Sequence, residues 1–156
     1  MINIRDYALR LIEFRDRTQK ELYGKLLEKG YSKDDIDDEI EFLKNYGYID
    51  DDRFLQHYVH DAINLKNLGK FRIRTELIRK GIDRDKVDIA IEDAFSEIED
   101  DRVLSQMQTR FKNSDFSNIK ERTRIFNFFM RRGFSAEEIK GAMNKMCSFN
   151  DIICDD

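Results

Sequence analysis

Three stretches of this chain can be laid over one another about a glycine. They are TQKELYGKLLEKGYSKDDIDDEIEFL, FRIRTELIRKGIDRDKVDIAIEDAF and ERTRIFNFFMRRGFSAEEIKGAMNKM, aligned on Gly30, Gly81 and Gly133 at intervals of 51 and 52 residues. Eight residues before each glycine stand Leu22, Ile73 and Ile125; four before, Leu26, Leu77 and Phe129; three before, Leu27, Ile78 and Met130. Directly after come Tyr31, Ile82 and Phe134, then Ile36, Val87 and Ile139, then Ile40, Ile91 and Met143. Self-similarity at a fixed period marks a repeat architecture, in which each unit buries too little surface alone and shares its core with neighbours.

The spacing within a copy describes two helices meeting at a turn. Apolar residues at i, i+4 and i+5 fall on one helical stripe, and a left-handed glycine ends the helix. Two residues on, Ser32, Asp83 or Ser135 can cap the next helix, and Thr18 with Glu21 and Ser135 with Glu138 have capping-box spacing. A further helix precedes each pair: about 3–16 with Ile4, Tyr7, Ala8, Leu11 and Phe14 inward, about 51–66 with Phe54, Leu55, Tyr58, Val59 and Ala62, and about 99–112 with Val103, Leu104, Met107 and Phe111. Residues 112–118 read as a loop. The expected fold is all-α, with three tandem three-helix, helix-turn-helix-like repeats (nine helices) in an elongated array. The units are 1–48, 49–98 and 99–156, the last with a short C-terminal tail, CSFNDIICDD.

Hydrophobic residues at 40% and charged residues at 38% suit helices with one buried and one solvated face, and are too apolar for a disordered chain. The N-terminus, MINIRDYALRLIEFRDR, is charged throughout, so neither a signal peptide nor a membrane span is expected and the location is cytoplasmic. Cys147 and Cys154 have no CxxC partner and no His/Cys cluster, so neither zinc nor a disulfide framework is indicated. His57 and His60, at i and i+3, lack a third metal ligand by spacing. Asp50, Asp51 and Asp52 precede a helix, where capping and the helix dipole account for them without a cation. The GKF at 69–71 is not a phosphate-cradling loop. No catalytic site, metal, cofactor or small-molecule substrate is expected.

Net charge is −4, but the cations are clustered. Between 66 and 80 lie Lys66, Lys70, Arg72, Arg74, Arg79 and Lys80 against one acid, Glu76; Arg72 and Arg79 share a helical face. The third copy repeats the bias with Lys120, Arg122, Arg124, Arg131 and Arg132. The helices after the glycines are acidic in the first two copies, with Asp34, Asp35, Asp37, Asp38, Glu39 and Glu41, then Asp83, Asp85, Asp88, Glu92 and Asp93. In a helix-turn-helix protein the last helix enters the major groove, where such acids meet phosphate repulsion; base reading by these helices is disfavoured. The expected contact residues, for a partner protein or for phosphate, are Lys70, Arg72, Arg74, Arg79, Lys80, Arg122, Arg124, Arg131 and Arg132.

Three stretches resemble the RecX family, bacterial regulators of the RecA recombinase. They are ALRLIEFRDRTQKELYGKLLEKGYSKDDIDDEIEFL, then GYIDDDRFLQHYV followed by GKFRIRTELIRKGID, then RIFNFFMRRGFSAEEI. The resemblance implies nine helices in three units. It implies a non-enzymatic modulator that binds the RecA filament on single-stranded DNA along its helical groove, restraining recombinase and coprotease activity in DNA repair and the SOS response. The acidic overall balance points to weak direct contact with bare DNA. The alternative reading is a helical-repeat nucleic-acid-binding protein that acts by occupying DNA.

Overall fold

The computed structural model describes residues 1–96 and 98–153, with side chains described through Ser148; Cys154 lies outside the described residues. Among these residues there are nine α-helices and no strand: α1 (Ile4–Phe14), α2 (Gln19–Lys29), α3 (Lys33–Asn45), α4 (Asp51–Asn64), α5 (Lys70–Arg79), α6 (Arg84–Phe95), α7 (Arg102–Arg110), α8 (Ile119–Arg131) and α9 (Ala136–Ile153). No described helix is long and apolar enough to cross a membrane.

The helix boundaries follow from local chemistry. Both expected capping boxes form. Thr18 Oγ accepts from Glu21 N–H at 3.2 Å while Glu21 accepts from Thr18 N–H at 3.2 Å, and the Ser135–Glu138 pair does the same at 3.1 and 2.7 Å. At the other end of α2, α5 and α8 the three glycines adopt φ of +100°, +94° and +87°. Each turn closes identically: Tyr31, Ile82 and Phe134 donate back to the carbonyls of Leu26, Leu77 and Phe129 at 3.1–3.3 Å. That bond buries the residue after the glycine, leaving Tyr31, Ile82 and Phe134 at most 8% exposed.

The chain divides into two compact units, residues 1–59 with 76–90 and residues 60–75 with 91–156, so the middle repeat contributes to both. In the first unit Ala8, Leu22, Leu26, Tyr31, Ile36, Leu43 and Ile49 form one core. In the second, Val103, Met107, Ile125, Phe129, Phe134, Ile139 and Met143 pack with Phe116, which the 112–118 loop sends inward to 1% exposure. Phe111, Phe128, Phe129 and Phe134 meet edge to face there, with centroids 5.1–5.9 Å apart.

Three expected core positions are corrected. Phe14 is 83% exposed, and Leu27 and Met130 are each 44% exposed. At about 100° per residue, Phe14 points about 120° away from the buried Ala8. Leu27 and Met130 lie about 100° round from Leu26 and Phe129. The buried stripe is therefore one residue wide at that level of the helix.

One joint occurs twice, once in each unit. In the first unit the start of α2 lies on the Gly81 turn: Thr18 Oγ donates to Lys80 O at 2.6 Å and Lys20 Nζ to Arg79 O at 3.2 Å. In the second unit the start of α5 lies on the Gly133 turn. Gly69 N donates to Arg132 O at 2.7 Å, Phe71 N to Gly133 O at 3.1 Å, and Arg72 Nη1 to Arg131 O at 3.2 Å. Thr18 and Gly69 hold equivalent repeat positions, as do Lys80 and Arg132. These contacts fill carbonyls left open at a helix C-terminus.

Candidate anion-binding site

The second joint gathers cations that are far apart in sequence. The loop before α5 is held by Arg102, whose Nη1 donates to Ile63 O at 3.1 Å and Leu68 O at 2.9 Å while its other nitrogens grip Asp100 at 2.8 and 2.9 Å. Burial, the largest influence on Asp100, raises its pKa, but the bonds and charge of Arg102 outweigh it and hold the carboxyl below the ordinary range. Arg132 Nη1 donates to Lys66 O in the same loop at 2.8 Å. With the loop fixed, α5 starts on the Gly133 turn and Arg72 is set beside Arg131 and Arg132.

The Arg132 guanidinium lies 4.8 Å from the Phe128 ring centroid, and so does that of Arg110 from the end of α7. The two are thus no further apart than twice that distance. Arg132 is held below its ordinary pKa, first by burial and then by the positive charges of Arg110 and Arg72. An aromatic face favours each cation by about 0.5–1 kcal/mol. That does not remove their mutual repulsion, which an anion with several acceptor oxygens would relieve. Along α8, Lys120, Arg124 and Arg131 are all exposed. At about 100° per residue they fall within about 40° of one another, on the side where Phe128 projects.

The nine expected residues therefore separate. Arg72, Arg131 and Arg132 are brought together, and Arg124 continues the exposed track. Arg122 projects about 160° away from Arg124. Lys70 stands at the start of α5 with its ammonium 4.8 Å from the Phe95 ring. Arg74 is half-buried and engaged within the protein. In the first unit Arg79 is exposed. Lys80 turns inward, its Nζ 2.7 Å from Glu21 Oε1 with the two side chains 20% and 18% exposed. Arg110 and Phe128 were not anticipated. The available signal was an aromatic one residue off the core stripe, followed by two arginines.

The remaining expected sites are accounted for locally. Asp50 caps α4 through Arg53 N–H at 3.0 Å, Asp51 instead accepts from Gln19 N–H at 2.9 Å, and Asp52 pairs with Lys86 at 2.7 Å. His57 lies 3.7 Å from Asp16 and His60 3.3 Å from Asp61, each on the surface. Among the described residues no three His, Cys, Asp or Glu side chains are grouped as a metal site needs.

Comparison with known proteins agrees along the chain. Residues 5–43, 50–91 and 97–143 match the profiles described as the first, second and third three-helix domains of RecX. A regulatory protein RecX from Clostridium tetani is 33% identical over 143 residues, covering 89% of this chain and 65% of that protein. The chain thus spans about two thirds of that relative's length. One from Vibrio vulnificus is 33% identical, covering 92% of this chain and 93% of that protein. The crystal structure of RecX from Lactobacillus salivarius superposes with a TM-score of 0.71 at 21% identity, over 92% of this chain and 94% of the other, a likeness of fold. With three domain profiles matched in order and a third of its residues shared with relatives of that name, the chain belongs to the RecX family.

Proposed function

We propose that this protein is a non-enzymatic, cytoplasmic regulator that binds the RecA filament on single-stranded DNA along its helical groove and restrains recombinase and coprotease activity. The observation that carries the reading is the like-charge cluster at Phe128, where Arg110 and Arg132 share one ring and Arg72 adds to the positive field on Arg132. Such a cluster prefers a multivalent anion, and a filament offers both DNA phosphates and acidic protein surface. Arg124 and Arg131 extend the contact along α8. Lys70, Arg74 and Lys80 contribute less, since each is engaged within the protein, and Arg122 projects away from this track; Arg79, exposed in the first unit, offers a separate contact.

RecA's single-strand-DNA-dependent ATPase, measured while this protein is titrated in, tests the reading. A bare-DNA binding curve in the same salt runs beside it. Inhibition well below the concentrations that coat bare DNA supports a filament-directed regulator. Inhibition only where bare DNA is saturated supports the DNA-occupying alternative, which the same cations would serve through phosphate. The Arg110→Glu, Arg132→Glu double variant is expected to raise the half-inhibiting concentration about tenfold or more, with Arg122→Glu much weaker. Equal effects would remove the cluster from the contact surface.

A further inference from the structure

Phe71 stands in water beside the cation cluster, and the two joints show what releases it. In the repeat register Phe71 is equivalent to Lys20, and Arg131 to Arg79. At the first joint Lys20 folds back on the turn, its Nζ donating to Arg79 O at 3.2 Å. At the second joint the next residue takes that part. Arg72 Nη1 donates to Arg131 O at 3.2 Å, and a Cβ added to Gly133 would strike Arg72. The Phe71 backbone is pinned to the same turn, its N–H donating to Gly133 O at 3.1 Å, while its side chain is left 63% exposed.

An exposed phenylalanine by itself means little. This one is set among fixed positive charges. Arg72 is the next residue, and Arg131 and Arg132 lead into the turn that Phe71 touches. Arg110 and Arg132 share the Phe128 ring, each guanidinium 4.8 Å from its centroid, so that ring is already occupied. From Arg131 the exposed cations continue along α8 through Arg124 to Lys120. A track of cations ending beside an open aromatic face suits a single-stranded nucleic acid, whose phosphates take the cations and whose bases take the ring. An acidic peptide would satisfy the cations and leave the ring in water.

We infer that Phe71 is a base-stacking residue: an unpaired nucleobase lies on its ring while the adjoining phosphates contact Arg72, Arg131 and Arg132. Phe71 and Arg72 diverge by about 100° around α5, so base and phosphate are received on separate sides of the helix start. Guanidinium groups hold phosphate through paired N–H bonds. A duplex keeps its bases stacked on one another and offers the ring no free face, so Phe71 favours single strands over double. Stacking tolerates any base, since each has a π face, and no sequence preference is expected from it. The inference rests on reading the Phe128 cluster as an anion-contacting surface and needs no recombinase.

The chain has no tryptophan, so Phe71→Trp supplies a single fluorescent reporter at the site. In low salt, oligothymidylate is expected to quench it, and an abasic oligomer of equal length, which supplies phosphates alone, is not. Phe71→Ala is expected to bind oligothymidylate about tenfold more weakly than the parent chain, with affinity for the abasic oligomer and for duplex DNA unchanged. Phe71→Leu keeps apolar bulk and loses the π face, so it should behave as Phe71→Ala, while Phe71→Tyr should bind as the parent. Parental affinity for oligothymidylate in Phe71→Ala, an equal loss on the abasic oligomer, or no binding of oligothymidylate by the parent overturns the inference. So does quenching by polyglutamate as strong as by oligothymidylate, which would assign the ring to an acidic protein surface. RecA is absent from every arm, so failure here leaves the filament reading to its own ATPase test.

Discussion

The two joints use equivalent positions and different chemistry. At the Gly81 turn the contact is made by side chains: the Thr18 hydroxyl, the Lys20 stem, the Lys80–Glu21 pair and Asp51 on the Gln19 amide. At the Gly133 turn it is made by backbone, with Gly69 standing where Thr18 stands and its N–H reaching Arg132 O at 2.7 Å. A Cβ on Gly69 would lie 2.3 Å from the Gly133 carbonyl carbon and oxygen. Removing a side chain lets the backbones touch; keeping one allows a hydroxyl to serve both as cap and as donor. The same topology thus tolerates either solution, but the backbone joint has no atom that can move aside.

That difference sets an order of effects. Gly69→Ala is expected to cost most, about 3 kcal/mol or more, because backbone must separate from backbone; thermal unfolding would register it. A loss below about 1 kcal/mol would mean that the joint is looser than its geometry. Thr18→Ala removes a fully buried hydroxyl that caps α2 and fills Lys80 O, and about 2–3 kcal/mol is expected, with Thr18→Ser recovering most of it. Gly30→Ala meets no neighbour and pays only the left-handed backbone penalty, about 1–2 kcal/mol, so it should fall well short of Gly69→Ala in the same assay.

The smallest effect distinguishes two carboxylates in the side-chain joint by sign. For Glu21, burial is the largest influence and raises the pKa, but bonds from Lys80, Arg15 and the Thr18 N–H outweigh it and the net shift is downward. Its stabilisation is present above the unfolded glutamate pKa and is lost as pH falls through the lower folded value. Asp51 is shifted upward, chiefly by burial, against the Gln19 N–H bond. Its ionisation weakens the fold as pH rises from the unfolded aspartate value through the higher folded one. Glu21→Gln should therefore lower stability at neutral pH and flatten its acid loss. Asp51→Asn keeps an oxygen for Gln19 and should hold or raise stability at neutral pH. Urea midpoints at neutral and acid pH for both variants would show it, and shifts of equal sign would contradict the assignment.

Much of this was readable from local rules. Glycine after an apolar turn and a hydroxyl at capping distance act within a few residues, so Gly30, Gly81, Gly133, Thr18 and Ser135 were found by spacing alone. Phe116 was not, because a loop residue carries no period; only the third core shows that it is needed there. Phe14 illustrates the reverse error: an aromatic at nearly the right interval, on a helix that ends with it and leaves it in water. Within the candidate site Arg72, Arg131 and Arg132 were visible as charge, but charge density does not reveal direction. Lys80 looked like its neighbours and is turned inward to Glu21, while Arg110 looked isolated and meets Phe128.

Helix order, turn chemistry and family are thus properties of short stretches, because hydrogen-bond closure at a cap or a left-handed glycine depends on adjacent residues. Which cations share a ring, which glycine is covered and which carboxylate is buried depend on packing between segments far apart in the chain, such as Arg132 with Lys66 and Thr18 with Lys80, 66 and 62 residues apart. Desolvation and like-charge proximity act through space, and only the assembled helices bring those groups within reach of one another.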